Sequence, residues 1–585
     1  MKKIYLLLIV LAITLPISAQ QFYNFLKSDT IVVNNVKSRI WNNNLYSFDL
    51  IQRPTHEVPI GSGSHTIFSG SLWIGGKLNN QIHLAGQMYL MGLDLYPGPI
   101  SDSIHYNALY DSTWRKIWKV SRQEILYHVS NFWLPGYTMP VSIGTWPAHG
   151  NTALGQSANL APFVDYNNNG VYDPQNGDYP LIRGDECIYF ICNDDRGTHN
   201  ETFGEKLKIE IHGMQYAYNC SQSSMLNDAI FLHYDIYNRS NNTYDSTMVG
   251  YFTDFDIGAY SDDFVGTNVS KGYVYGYNGD SIDGNGNPGS YGAFPPAQAT
   301  VFLKGVKQDN DGIDNPFGIY NNESINGIGF GDGIVDNEYR GLDYSMVFHI
   351  LGGIGNSAMT DPSITLNYYN YLKCIWLDGT QLLYGGNGHL SDPNTTNIPS
   401  KFSFPGNSDT LGFGTNGIIM PPWSESSTNN IPYDRRILAS TGPITFQPGQ
   451  KQTLDIAFVY ARDTINAWPN GSVNLLELRV DSLKQMFLAD STPCGLSFTG
   501  IEKINNVKTL NKLKIYPNPS NGIFTIEFTP QSNEKTIYVF DSVGKLVLSK
   551  EIENYGIEQI NLSALDNGIY YIKTLNNFGK VVICN

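Results

Sequence analysis

The spacing of apolar residues limits the fold of this chain more than any other feature. They alternate with polar residues over short runs, and Gly and Pro fall between many of those runs. Ala229-Ile-Phe-Leu-His-Tyr-Asp-Ile-Tyr237, Lys206-Leu-Lys-Ile-Glu-Ile211 and Gln452-Thr-Leu-Asp-Ile-Ala-Phe-Val-Tyr460 show the pattern best. A period of two sends successive side chains to opposite faces, so each run predicts a strand with one face on a core. Only Ser472–Leu488 has a helical stripe, through Leu475, Leu476, Val480, Leu483, Met486 and Phe487. With 38 Tyr, 57 Gly and 29 Pro, the composition favours strands and turns over long helices. The expected class is all-β: a multidomain β-sandwich body followed by a C-terminal immunoglobulin-like sandwich.

A chain of 585 residues has room for two to four domains and a sizeable buried core. The expected order is a signal peptide at 1–19, an N-terminal β-rich domain at 20–159, and a sandwich body at 160–498. A polar linker at 499–511 and a terminal module at 512–585 follow. Lys2 and Lys3 precede an apolar run from Ile4 to Ile17 that ends in Ser18-Ala19, the layout of a secretory signal. No later run reaches roughly 18 apolar residues, so no transmembrane segment is expected in the mature protein.

The terminal module opens with Tyr516-Pro517-Asn518-Pro519-Ser520-Asn521-Gly522. Asp541-Ser542-Val543-Gly544-Lys545-Leu546-Val547 and Asn567-Gly568-Ile569-Tyr570-Tyr571 follow in order. This series resembles the type A C-terminal sorting domain of the type IX secretion system. The resemblance implies a small sandwich recognised by the secretion machinery, passage through the periplasm, and a destination at the outer-membrane surface or outside the cell. The body resembles a group of uncharacterised surface proteins that carry the same module. It shares with them Leu72-Trp73-Ile74-Gly75-Gly76, Ala161-Pro-Phe-Val-Asp165, Asp254-Phe-Asp-Ile-Gly258 and Asp434-Arg435-Arg436.

A net charge of -16 with no basic cluster in the sequence repels phosphate backbones, so nucleic acid is not an expected partner. The six cysteines are scattered, without a C-x-x-C pair for zinc or redox chemistry. Cys187 and Cys192 lie an odd number of positions apart in one strand-like run, so they should face opposite ways and not bridge each other. Cys220 is the candidate partner for one of them.

Asp165-Tyr-Asn167-Asn-Asn169-Gly170-Val171-Tyr-Asp173 places oxygen side chains at positions 1, 3, 5 and 9 and glycine at 6. Calcium takes six to eight oxygens around a tight turn, and this spacing supplies them, with a carbonyl from Val171. Position 12 is Asn176 where an acid is usual, which leaves Asp178 or water to close the site; an Asx-rich turn without metal is the alternative. Asp309-Asn-Asp311-Gly312-Ile-Asp314 and Asp332-Gly333-Ile-Val-Asp336 are weaker echoes. Asp254 and Asp256 should share a strand face, where two carboxylates repel unless a proton or cation intervenes. With Asp262 and Asp263 they form a second expected calcium site, or the acids of a polysaccharide hydrolase.

H-E-x-x-H, Walker A and G-x-S-x-G motifs are absent, and Pro421 and Pro422 follow Gly412-Phe-Gly414-Thr-Asn-Gly417 where a phosphate-binding helix should begin. His199 reads as a loop histidine. The functional expectation is a secreted or surface-displayed, calcium-stabilised binding or structural protein, with a glycan or matrix ligand. The alternative is a secreted polysaccharide hydrolase using acids from the 254–263 cluster.

Overall fold

A computed structural model of the chain describes residues 24–49, 53–350, 353, 355–468, 470–500, 511–527, 535–542, 545–552, 556–574 and 577–584. The expected signal peptide and nearly all of the expected linker lie outside them. The chain forms two compact units. The first takes residues up to 121, 149–161 and 182–500; the second takes 122–148, 162–181 and 501 onward.

Fifteen strands of the first unit build two antiparallel sheets. In chain order they are β1 His56–Glu57, β2 His65–Leu78, β3 Gln81–Ala85, β4 Tyr96–Pro97, β5 Trp118–Ser121, β6 Glu186–Asn193, β7 Ile209–Ala217 and β8 Ala229–Asn238. There follow β9 Tyr244–Phe255, β10 Asp263–Asn268, β11 Tyr273–Asn278, β12 Ala297–Lys304, β13 Tyr344–His349, β14 Arg435–Phe446 and β15 Lys451–Ala461. The nine-stranded sheet runs β10-β11-β12-β15-β8-β7-β6-β4, with β5 also on β6. The six-stranded sheet runs β13-β14-β9-β2-β1, with β3 also on β2.

The sheets face each other across one core. Tyr251 of β9 meets Tyr234 of β8 and Phe458 of β15, with ring centres 6.4 and 5.6 Å apart. The hydroxyls of Thr253 on β9 and Thr300 on β12 bond across the same gap at 3.0 Å. Strands from before and after residue 159 share both sheets, so the boundary expected there falls inside a single unit. Neighbouring strands arrive from distant parts of the sequence, which local alternation does not reveal.

Cys187 and Cys192 lie on β6, and alternate residues Ile188, Phe190 and Cys192 enter the inter-sheet core. The two cysteines therefore face opposite ways, as expected. Cys220 bonds neither: its disulfide partner is Cys494. That bond joins the turn between β7 and β8 to the segment that follows Leu488, a closeness invisible to sequence over 274 positions. Gly213 on β7 lies opposite Phe190 on β6, and a side chain there would run into the phenyl ring.

In the second unit, residues 122–131 form helix α1, Arg122–Asn131. The short strands Phe163–Val164 and Tyr179–Pro180 pair and bracket the 165–178 loop. In the first unit, helix α2, Asn470–Leu488, covers β12 and β15 through a buried stripe of Ser472, Leu476, Val480 and Leu483.

From residue 511 the second unit forms its own two-sheet sandwich. Its strands are β16 Asn511–Lys512, β17 Lys514–Tyr516, β18 Ile523–Glu527, β19 Thr536–Phe540, β20 Leu546–Glu551, β21 Ile557–Asn561, β22 Gly568–Lys573 and β23 Asn577–Ile583. Sheets β16-β23-β22-β19-β20 and β17-β18-β21 enclose Phe524, Ile526, Ile537, Val539, Ile560, Ile572, Val581 and Ile583. Phe524 and Ile526 form the inward face of β18, and Ile523 lies on its exposed face.

Candidate functional site

The site begins at the end of β9, the central strand of the six-stranded sheet. Asp254 lies opposite Arg436 on β14 and Ser69 on β2, and Asp256 follows just beyond the strand. Because β14 runs antiparallel, its first residues meet the last residues of β9, which brings Asp434 to the same place. One oxygen each of Asp254, Asp256 and Asp434 lies within 4.8 Å of the others. These residues are only 2%, 6% and 7% exposed. Arg435 and Arg436 take opposite faces of β14: Arg435 pairs with Glu425 at 2.9 Å, while Arg436 turns to the acids. Its nitrogens stand 3.6 Å from Asp254, 3.5 Å from Asp361 and 3.3 Å from Asp434.

Three carboxyl groups thus share one guanidinium, with Asp256 as a fourth acid beside them. Tyr89 donates its hydroxyl to Asp254 at 2.7 Å, yet Asp254 Oδ1 and Asp434 Oδ1 are buried and have no hydrogen-bond partner among the described residues. Burial pushes the Asp254 carboxyl up to about 7, with Arg436 pulling it down and Asp434 adding to the rise. Burial also raises Asp256 strongly, and the charges of Asp254 and Asp434 raise it further. Such a group must hold protons or a cation at neutral pH. His65, 3.9 Å from Asp256, offers little positive charge, since burial lowers it to about 4. Oxygens that share one calcium at 2.3–2.6 Å lie at most about 5 Å apart, so the spacing suits a hard dication. A sugar could not reach carboxylates this deeply buried, which weighs against the hydrolase reading of Asp254 and Asp256.

The other two acids of the expected group serve the adjoining loop. Asp263 Oδ2 accepts the Ile257 N–H at 2.8 Å, and Asp262 Oδ2 accepts the Gly284 N–H at 3.1 Å. Asp434 and Asp361 take their places in the cluster. Asp434 could have been suspected as an acid beside two arginines at the start of an apolar run. Asp361 sits in a polar loop with no local signal.

The 165–178 loop brings its expected residues together. Asp165 accepts the N–H groups of Asn169 and Gly170 at 3.1 and 2.7 Å. The amides of Asn167 and Asn169 each donate to Asp173 at 3.0 Å, and Asn169 Oδ1 accepts the Val171 N–H at 2.8 Å. Hydrogen bonding, first from Asn176, lowers the Asp173 pKa. Asp178 accepts Tyr166 N–H and Asp173 N–H, both at 2.8 Å, and so fastens the two ends of the loop. The weaker echoes interlock: Asp336 accepts the N–H groups of Asp311 and Gly312, and Asp314 those of Gly331 and Gly333.

His199 is a buried loop residue whose ring nitrogens bond to the carbonyls of Leu84 and Asp194 at 2.8 and 2.9 Å. At Gly412–Gly417, Asp409 accepts the N–H groups of Phe413 and Gly414 at 2.7 and 2.8 Å, filling the place a phosphate would need.

The terminal sandwich shows why its motif residues are there. Asn518 donates to Lys580 O at 2.6 Å and accepts the Val582 N–H at 2.9 Å, tying the opening turn to the last strand. Gly522 has φ of 93° and packs against the Ser563 backbone, where a side chain would clash. Asp541 and Lys545 close the β19–β20 hairpin with bonds of 3.0 and 2.9 Å. This is an appended β module with a core of its own. More particularly, residues 514–583 match the family of secretion system C-terminal sorting domains, and the chain is a type IX secretion cargo. That tail implies export to the cell surface or the extracellular space. No curated protein sequence matches the chain. Among solved structures, a polysaccharide lyase aligns with 72% of this chain at 8% identity and a TM-score of 0.19, which supports no statement about fold or activity. The chain spans about 39% of that lyase's length.

Proposed function

We propose that the mature chain is a calcium-stabilised β scaffold with a binding or structural role, displayed on or released from the outer surface after periplasmic transit. The observation that carries the calcium reading is the triad of Asp254, Asp256 and Asp434. One oxygen of each acid lies at ligand spacing from the others, and Oδ1 of Asp254 and of Asp434 has no hydrogen-bond partner among the described residues. The 165–178 loop is the second candidate, through Asp165, Asn167, Asn169, Val171 and Asp173.

An ion bound only by the folded state adds stability by mass action, about 2.7 kcal/mol at a hundred times Kd. Calorimetry of the mature protein should therefore show a higher Tm in calcium than in excess chelator. Asp254→Asn and Asp434→Asn should shrink that difference. In chelator, Asp254→Asn should melt no lower than wild type, because the amide removes one of the repelling charges. A wild-type melt indifferent to calcium would remove this reading.

A further inference from the structure

A concavity of about 660 Å³ lies on the first unit, lined by none of the acids of the triad. Its lining includes Arg196, Lys206, Lys208 and Arg239, with Asp102, Asp195 and Tyr106. On a chain with 37 basic against 53 acidic residues, four cations against two acids leave this lining net positive, with Lys206 itself tied to Asp195.

The two arginines are held in place from behind. Arg239 commits Nε and one terminal nitrogen to buried Glu210, at 3.2 and 2.7 Å, and lies over the Tyr237 ring. Arg196 commits the corresponding nitrogens to Asp111 at 2.9 and 2.8 Å. Each guanidinium keeps its other terminal nitrogen without a partner among the described residues. Lys208 is 55% exposed and stands 3.8 Å from Asp195. Its φ of 57° departs from extended geometry just before β7 begins. Tyr106 donates to Asp195 at 3.1 Å, which fixes its ring in the wall.

Cations alone would suit any anion. Here they share the hollow with Asp102, an exposed carboxylate whose oxygens accept no hydrogen bond among the described residues, and with Asp195. A bare polyphosphate would be repelled by both acids. A ligand that carries negative charge and also donates hydroxyl protons satisfies the whole set, and a ring such as Tyr106 suits the apolar face of a sugar. Prefixed arginines lower the ordering cost of binding, and the volume falls within the range of small-ligand sites. We infer that this hollow binds acidic oligosaccharide, a uronate-bearing or sulfated sugar segment. The inference rests on the binding role proposed above and not on calcium.

Titration calorimetry of the mature protein with oligogalacturonate tests it, with the methyl-esterified oligomer and inorganic sulfate as comparison ligands. The acidic oligomer should bind, more weakly as salt rises, because exposed charges are screened. The esterified oligomer and sulfate should bind at least roughly tenfold more weakly. Lys208→Glu reverses an exposed charge while Asp195 keeps Lys206 and the Tyr106 hydroxyl, and should weaken acidic binding roughly tenfold with a melt close to wild type. Arg239→Lys, which cannot hold Glu210 and ligand together in the same planar fork, should act in the same direction. Equal binding of charged and esterified oligomers, or sulfate binding as tight as the oligomer, would overturn the inference. So would the absence of acidic binding. Acidic binding unaffected by Lys208→Glu would place the sugar elsewhere, ending this assignment while leaving the binding role intact.

Discussion

At the scale of single residues, buried charge is tolerated where a counter-charge lies in contact. Asp455 on β15 is 3% exposed and receives His233 Nδ1 at 2.8 Å and Arg183 at 3.1 Å. Burial alone would raise its pKa, but His233 and Arg183 bring it down to about 2. A folded-state pKa below the unfolded value of about 3.9 adds stability that is fully present above that value. It is lost as pH falls through the folded pKa. The shift corresponds to about 2–3 kcal/mol, so unfolding free energy from urea titrations should drop by about 2 kcal/mol between pH 5 and pH 2. Asp455→Asn should flatten this part of the curve and lower stability at pH 7, where Arg183 would lose its carboxylate. A variant with the wild-type acid slope would show that other carboxylates set it. The acid cluster has the opposite character: Asp254, Asp361 and Asp434 share the Arg436 guanidinium with Asp256 beside them, a surplus of negative charge that a proton or a cation would relieve.

At the scale of elements, α2 shows how a single helix completes an all-strand unit. It lies over β12 and β15, and its tail leads to Phe498, whose ring packs 5.3 Å from Tyr218 and 5.7 Å from Phe231. Leu476 is fully buried, whereas Leu478, two positions on, is 65% exposed. Leu476→Ala should cost about 2–4 kcal/mol in urea unfolding, and Leu478→Ala within about 0.5 kcal/mol; similar costs would mean the helix is not docked as described. This helix was legible in the sequence because its stripe has a helical period. The strands at 229 and 452 were legible for the equivalent reason, since a period of two survives in any sheet. The run from Lys206 misled at its start: Lys208 takes a left-handed φ and β7 begins only at Ile209. What no local pattern carries is which strands adjoin. The pairing of Asp254 with Arg436 spans most of the body, and Cys220 with Cys494 spans more, so the complete triad and the disulfide were beyond reach.

At the scale of the molecule, two separate cores imply two separable tasks. The inter-sheet core of the first unit and the core of the terminal sandwich share no residue. The Cys220–Cys494 disulfide lies wholly in the first unit, where it closes a loop across 274 positions. Export into an oxidising compartment lets such a bond form; a disulfide typically contributes about 2–4 kcal/mol, and the chain-entropy account puts a loop this long at about 5 kcal/mol or more. Cys494→Ser should therefore lower the melting transition of the first unit and leave that of the terminal sandwich in place. Truncation after residue 500 should do the reverse in calorimetry, removing the sandwich transition and sparing the first unit. In cells, the truncated chain should fold and keep its disulfide but be missing from the surface and the medium, because the element that addresses it outward has gone. Recovery of the truncated chain outside the cell at wild-type levels would separate export from the module, and loss of both transitions on truncation would show that the two cores fold as one.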